Sequence, residues 1–202
     1  MNIHALIPLI ATIAYIPLFV ILLANRPWDR KQRFFFLFLI PAILWSFTDI
    51  FGRSNLFMED KLLLVKIVIC VVFWMGIQFH YFLCSLYMPH RFKIPFAYIL
   101  LISFVVLAVL GYIPESIDVT ASGINVDYGM WIIPLAFAIT SLIIRDGYFL
   151  VRRRNISAIP AERNQITYIL VGIGIMTSFM FSSFAPSGGE YPLAHIGNLI
   201  NA

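Results

Sequence analysis

The chain has 202 residues, of which 61% are hydrophobic and 12% charged, and its mean hydropathy is +0.90. Soluble domains carry about 25% charged residues, so half that load is typical of a chain whose solvent is lipid. The net charge of +4 is therefore not interpreted as a nucleic-acid footprint, and no nucleic-acid partner is expected. The length allows six or seven helical spans of about 20 residues each.

Six apolar stretches predict membrane-spanning helices, and a seventh begins near the C-terminal end. They lie at 3–24, 34–51, 62–87, 95–113, 130–151 and 166–184, with the start of the seventh at 195–202. Helices are expected because a helix satisfies its own backbone in lipid, and because stretches such as 94–111 are apolar on both parities, unlike barrel strands. The sequence thus predicts an all-α, polytopic membrane protein forming one domain over 1–202. Eight residues rise only about 12 Å, so the chain is expected to be a piece of a longer protein or a stand-alone membrane protein.

Basic residues gather on alternate connections, which predicts the orientation of the chain. Ten of the 14 Lys and Arg fall on one side: Arg26, Arg30, Lys31, Arg33, Arg91, Lys93, Arg152, Arg153, Arg154 and Arg163. Short basic loops are retained in the cytoplasm, so we expect a multi-pass protein of the inner (cytoplasmic) membrane with its N-terminus outside. The same ten residues are expected to contact anionic lipid. The 15-residue outer segment Pro114–Tyr128 is expected to form a small cap or short strands.

Ionisable residues within apolar spans are costly, so each is a candidate site residue. Asp49 lies near the outer end of the second span and Lys66 about one turn into the third, at similar depth. One interpretation is a structural ion pair, or side chains that snorkel to the headgroups. The sharper hypothesis is an outward-facing ligand pocket lined by Trp45, Asp49 and Lys66, with His195 at the outer end of the seventh span.

The remaining polar residues are interpreted as structural. His80 lies about 28 Å along the third span from its outer end, near the cytoplasmic interface, and is expected to be a hydrogen-bonded packing residue. Arg145 and Asp146 are interpreted as a snorkelling arginine and an interfacial acid. Cys70 and Cys84 are about 21 Å apart on one helix and cannot bridge. No histidine cluster has zinc-site spacing, so neither a metal nor a cofactor is expected.

Catalytic signatures are absent from the sequence. It contains no H-E-x-x-H, no G-x-S-x-G and no G-x-x-x-x-G-K-[ST]. The chain is therefore not expected to be an enzyme.

Several weak motifs occur in a consistent order along most of the chain. They are the basic loop Asn25–Arg33, Trp45, the run Phe79-His80-Tyr81-Phe82 with the loop Pro89–Lys93, Arg163 and Gln165, and Pro192, His195, Gly197 and Asn198. In these features the chain resembles the N-terminal seven-transmembrane sensor region of bacterial histidine kinases. The resemblance implies an input module of a two-component signal-transduction system. It also implies kinase, PAS or GAF modules as cytoplasmic partners, in cis or in trans, and a homodimer.

Two other function classes stay open. A membrane anchor or subunit of a larger complex fits the absence of a dense polar site. A small transporter ranks last, because transporters place polar groups and broken helices at mid-membrane. Pro41 and Pro134 are potential helix breaks, but no mid-depth charge accompanies either.

Overall fold

The computed structural model describes residues 3–53, 61–87, 96–120 and 123–182. Within these ranges the chain forms six helices and one β-hairpin. The helices are α1 (Ile3–Ala24), α2 (Arg30–Arg53), α3 (Lys61–Tyr87), α4 (Phe96–Val109), α5 (Ile132–Ile156) and α6 (Pro160–Ser182), and the strands are β1 (Ser116–Thr120) and β2 (Gly123–Asp127).

Helix α3 is the centre of the fold, since it packs against α2, α4, α5 and strand β1. Its inner two thirds are buried on several sides, as expected of a helix surrounded by neighbours. The buried positions are Val71, Phe73, Met75, Ile77, Gln78, His80, Tyr81, Leu83 and Ser85. Residues of α3 take part in three apolar clusters. One joins α3 to α4 and α5 around Phe104, one joins it to α1 and α2 around Leu39, and one joins it to α5 and α6 around Leu150.

The helix positions predicted from the sequence are confirmed within the described residues, but several ends differ. Helix α2 begins at residue 30 and not 34, α5 ends at 156 and not 151, and α6 begins at 160 and not 166, because each helix continues into the charged residues that flank its apolar run. The end of α4 differs for another reason. The fourth stretch was expected to span 95–113, whereas α4 ends at Val109. Gly111 has a φ of 85° and its N–H bonds to the carbonyl of Ala108, while the N–H of Tyr112 bonds to that of Leu107. This is a Schellman motif, which ends a helix at a left-handed glycine. At 14 residues, α4 is about 21 Å long.

The start of α2 is fixed by a reciprocal cap. The N–H of Gln32 donates to Asp29 Oδ1 at 2.7 Å, and the N–H of Asp29 donates to Gln32 Oε1 at 2.9 Å. This capping box satisfies two backbone donors that the first turn leaves without helical partners. Asp29 is an acidic residue in a turn that otherwise carries basic side chains, and its carboxylate accepts a hydrogen bond from the backbone at the start of α2.

A two-stranded antiparallel hairpin follows α4, with Ser116 opposite Asp127 and Thr120 opposite Gly123. The expectation of short strands between Pro114 and Tyr128 is confirmed. The hairpin also adds a small β element to a chain predicted to be all-α. Ile113, just before the hairpin, is fully buried in the cluster shared by α3, α4 and α5, which ties the hairpin to the helices.

Two helices of the described part, α3 and α5, are long and apolar enough to cross a bilayer. Only 28% of the most apolar window of α3 and 17% of that of α5 are buried, which is unlike the core helices of soluble proteins. Large apolar side chains are exposed on other helices too, including Ile102 at 63% and Tyr168 at 76%. Soluble monomers seldom expose continuous apolar surface on this scale, so the structure supports a membrane protein.

Candidate functional site: an ionic cluster between α3 and α5

Glycine brings α3 and α5 close together at the level where their polar residues meet. A Cβ placed on Gly76 would lie 3.3 Å from Ile139 Cδ1 of α5. His80 follows Gly76 by four residues and therefore lies on the same face of α3. Asp146 follows Ile139 by seven residues, two turns further along the parallel helix α5. Gly76 therefore leaves room for the Ile139 side chain of α5 against the backbone of α3, and His80 meets Asp146 further along the same contact.

His80 and Asp146 form a short, buried polar contact. The Nδ1 atom of His80 lies 2.9 Å from both carboxylate oxygens of Asp146. Asp146 is 4% exposed and His80 is 7% exposed. A carboxylate accepts hydrogen bonds only, so the imidazole Nδ1–H is the donor that serves both oxygens. Burying a carboxylate without such a partner is strongly unfavourable, and the histidine is its principal partner.

Arg145 adds a positive charge over the histidine ring. Its Nη2 atom lies 3.0 Å from His80 Nε2 and 3.4 Å from His80 Nδ1. A donor aimed along the lone pair of Nε2 would lie much farther from Nδ1, so the nearly equal distances place the guanidinium over the face of the ring. Such a cation over an aromatic face is attractive. Arg145 Nε also lies 4.0 Å from an oxygen of Asp146, and 61% of the arginine side chain is exposed.

Cys84 completes the set, one helical turn after His80. Its Sγ atom lies 3.6 Å from His80 Nε2 and 3.9 Å from Nδ1, so the thiol also faces the ring plane. Cysteine, histidine and aspartate in this chain of contacts have the composition of a nucleophilic triad. The sulfur, however, is not directed at the lone pair of Nε2, so proton transfer from the thiol to the ring is not aligned. We call His80, Cys84, Arg145 and Asp146 the α3–α5 cluster.

The cluster combines one carboxylate with two basic side chains. His80 Nδ1 lies 2.9 Å and Arg145 Nε 4.0 Å from the carboxylate of Asp146. An imidazole can be neutral or positively charged. A change in the protonation of His80 would therefore alter the charge held between α3 and α5, and with it the electrostatic attraction between the two helices.

Further polar groups surround the cluster on α3 and α4. Gln78 Nε2 donates to the hydroxyl of Tyr98 on α4 at 2.8 Å, whereas Gln78 Oε1 is buried and has no hydrogen-bond partner among the residues that the structure describes. The ring of Tyr81 stacks on that of Tyr98 with centroids 4.9 Å apart. A cavity of about 20 Å³ lies beside Asp146. That volume holds roughly one water molecule.

The residues proposed from the sequence as an outer pocket are only partly described. Trp45 is half-buried and packs in the cluster of α1 and α2 around Leu39. Lys66 is half-buried on α3. The backbone of Asp49 lies in α2, four residues before its end, but its side chain lies outside the described residues, as does His195 entirely. The outer pocket therefore stays a prediction.

The basic residues expected to contact lipid separate into two groups. Arg26, Arg33 and Arg152 are exposed, as are Arg30, Lys31 and Arg163. Arg153 and Arg154 form side-chain hydrogen bonds that connect α5 to α6. Arg153 Nε donates to Glu162 at 2.8 Å and Arg154 Nε donates to Thr167 at 2.9 Å. Arg91 and Lys93 lie outside the described residues.

Sequence reasoning missed the α3–α5 cluster. Asp146, interpreted from the sequence as an interfacial acid, has its carboxylate buried between α3 and α5. The interpretation of His80 as a hydrogen-bonded residue is confirmed. The Arg145 side chain is 61% exposed, and its interpretation as a snorkelling arginine stays a prediction. A signal was available in the sequence. His80 lies about 10 Å before the inner end of α3, and Asp146 lies about 9 Å before Arg152, so the two share one depth. We compared the depths of Asp49 and Lys66 along their helices, but not those of His80 and Asp146.

The thiols and potential metal ligands give no second site in the described part of the chain. Cys70 and Cys84 are both free, in agreement with their predicted separation. Within that part, no group of three or more histidine, cysteine, aspartate or glutamate side chains has the geometry of a metal site.

Compared with protein-family models, with curated proteins and with solved structures, the chain matches none.

Proposed function

We propose that this chain is a membrane-embedded sensory input domain, non-catalytic in itself, of a histidine kinase-like signalling protein. The observation that carries the proposal is the α3–α5 cluster, an ionic contact buried between two helices that are apolar enough to cross a bilayer. Ionisable residues within apolar helices of this kind are expensive and are functional-site candidates by default. A cluster that links two helices and can change its charge is suited to favouring one helix packing over another.

The arrangement in the membrane belongs to the same proposal. Six spans with the N-terminus outside put the α1–α2 and α5–α6 turns in the cytoplasm and the hairpin outside. The basic residues of those two turns support this orientation. Reporter fusions after successive helices test it. A reporter that is active only in the periplasm should be silent after Arg30 and after Arg153, and activity there would overturn the topology.

The sensory role is tested by measuring whether α3 and α5 adopt two packings. Ketone-reactive spin labels on p-acetylphenylalanine at Leu63 and Ile156 leave both native cysteines in place. In lipid nanodiscs, pulsed electron resonance should give two label–label distances whose proportions change between about pH 5.5 and about pH 10, a range wide enough to include the gain or loss of a proton by His80. Asp146→Asn should abolish that change, whereas Tyr168→Phe, at an exposed position on α6, should preserve it.

A single, pH-independent distance in the wild-type chain would refute the sensory proposal and favour the second class, a membrane anchor or subunit of a larger complex. The cytoplasmic kinase, PAS or GAF partners and the homodimer are further parts of the proposal. Cross-linking of the intact chain in its own membrane, followed by mass spectrometry, tests them. Recovery of membrane enzyme subunits instead would support the anchor.

A further inference from the structure

The turn between α1 and α2 forms a groove whose walls differ in chemistry along its length. It has a volume of about 470 Å³ and is lined by Arg26, Trp28, Arg33, Phe36 and Leu37. The two arginines are exposed, and the remaining walls are aromatic or aliphatic. Arg33, Phe36 and Leu37 follow each other at helical spacing, so they present one continuous face of α2.

The groove is held in shape by contacts of Trp28. Its indole Nε1 donates to the carbonyl of Leu22, at the end of α1, at 2.7 Å. Its ring lies 4.7 Å from that of Phe36, and Phe36 stacks on Phe19 of α1 at 5.2 Å. The guanidinium of Arg26 lies over the indole, 4.7 Å from the ring centroid. The tryptophan therefore connects both helices and positions Arg26 at the mouth of the groove.

Neither guanidinium of the groove forms an ion pair with a carboxylate among the described residues. The nearby acid, Asp29, directs its carboxylate to the N–H of Gln32 in the capping box. Two arginines at the mouth therefore supply a bidentate pattern of donors, which matches a phosphate group. Below them, Trp28, Phe36 and Leu37 offer the apolar surface that an acyl chain needs, with the tryptophan at the depth typical of a membrane interface.

We propose that this groove is a binding site for one anionic phospholipid, with the phosphate between Arg26 and Arg33 and an acyl chain along Phe36 and Leu37. The occupant follows from charge complementarity combined with the apolar lower wall, which a free anion would leave empty. The site rests on the membrane insertion included in the proposed function, but on neither the sensory role nor the orientation. It differs from the diffuse attraction of basic loops for anionic membranes because its two arginines converge on one groove.

The test uses the full chain in nanodiscs of phosphatidylcholine with phosphatidylglycerol brominated on its acyl chains. Bromine next to the groove should quench the fluorescence of Trp28, obtained as the difference between the wild-type chain and Trp28→Phe. Arg26→Ala with Arg33→Ala should weaken phosphatidylglycerol binding about thirtyfold. That factor corresponds to about 1 kcal/mol for each charge near the surface, at 1.4 kcal/mol per tenfold.

A matched control removes the same charge elsewhere. Arg152→Ala with Arg163→Ala also deletes two exposed arginines from the α5–α6 end and should leave quenching of Trp28 unchanged. Arg26→Lys with Arg33→Lys keeps the charge but loses the planar fork, and should bind with intermediate affinity. This variant keeps the test decisive if the double alanine variant does not fold.

Three results would each overturn the lipid site. They are equal loss in the two double alanine variants, equal quenching by brominated phosphatidylcholine, and displacement of phosphatidylglycerol by millimolar inorganic phosphate. None of them alters the distance between α3 and α5, so failure of the lipid site and failure of the sensory role are distinguishable.

Discussion

The contact between His80 and Asp146 should be a strongly coupled pair, and a double-mutant cycle measures that coupling. Removing His80 by substitution with leucine leaves a carboxylate that is 4% exposed. Among the described residues, its remaining charged neighbour is Arg145, with Nε 4.0 Å away on a side chain that is 61% exposed. Arg145 therefore compensates only in part, because solvent screens an exposed partner.

The magnitude follows from the burial of the two groups. Breaking a buried ion pair by removing one partner costs about 3–5 kcal/mol, and the residual attraction of Arg145 places His80→Leu near the lower limit, at about 3 kcal/mol. Asp146→Leu should cost about 2 kcal/mol, because it leaves the buried Nδ1–H of the histidine without its acceptor. The variant with both leucines replaces the polar contact by apolar packing and should lie within about 1 kcal/mol of the wild type.

The free energy of unfolding can be measured by denaturing-detergent titration of the protein in mixed lipid micelles, followed by tryptophan fluorescence. The expected coupling energy is about 4 kcal/mol, because the two single substitutions together cost about 5 kcal/mol and the double variant at most about 1 kcal/mol, and this is more than the usual 0.5–3 kcal/mol for residues in contact. The control cycle combines His80→Leu with Tyr168→Leu, whose side chain is 76% exposed, and should be additive. If the His80 and Asp146 substitutions are additive within about 0.5 kcal/mol, the cluster is not the coupled unit described here.

Three other substitutions test local features of the fold. Gly76→Leu should destabilise the chain by about 1–3 kcal/mol by overpacking against Ile139, whereas Gly76→Ala, which needs a shift of only a few tenths of an ångström, should be nearly neutral. Equal effects in the same titration would contradict a close helix approach. Asp29→Ala should lower the free energy of unfolding by about 1 kcal/mol and speed hydrogen exchange of the amides in the first turn of α2. Asp29→Asn should keep most of the protection of these amides from exchange, because asparagine also caps helices. Unchanged exchange in the alanine variant would exclude a stabilising cap at Asp29. Hydrogen bonds from Ser157 and Arg153 lower the pKa of Glu162 below its ordinary value of 4.5. These bonds therefore stabilise the folded chain fully above pH 4.5, and that stabilisation is lost as the pH falls through the lower pKa of the folded state. Glu162→Gln should remove this pH dependence of unfolding, and identical profiles would refute it.

The helices were predictable from the sequence, because each is a long apolar run bounded by charged or turn-forming residues. The bounds of α1 and α3 agree with the predicted stretches to within one residue. The end of α4 was missed because the apolar run continues past Gly111, whose left-handed conformation decides where the helix stops. Hydrophobicity alone does not show that stop.

The candidate site was less predictable because it depends on which helices become neighbours. Depth along each helix can be counted from the sequence, but the rotation that turns His80 towards α5 is set by packing. Gly76 alone does not predict that α3 packs against α5, because a glycine in an apolar helix can have several roles. Asp146 is preceded by Arg145, and the sequence does not show that the arginine is exposed while the adjacent carboxylate is buried against α3.

The groove and the α3–α5 cluster are connected through a layer of aromatic side chains. Phe34, next to Arg33 on α2, lies 6.4 Å from Tyr81 of α3, the residue that follows His80. One turn along, Phe38 lies 5.5 Å from Phe79. A lipid bound to Arg33 would therefore contact α2, and the opposite side of α2 packs against α3 next to the α3–α5 cluster. If phosphatidylglycerol binds the two packings of α3 and α5 with different affinity, linkage requires the packing to change lipid affinity by the same factor. If both proposals hold, such reciprocity would make the bilayer itself an input to the proposed sensory domain, because the proposed lipid groove adjoins a helix that packs against α3.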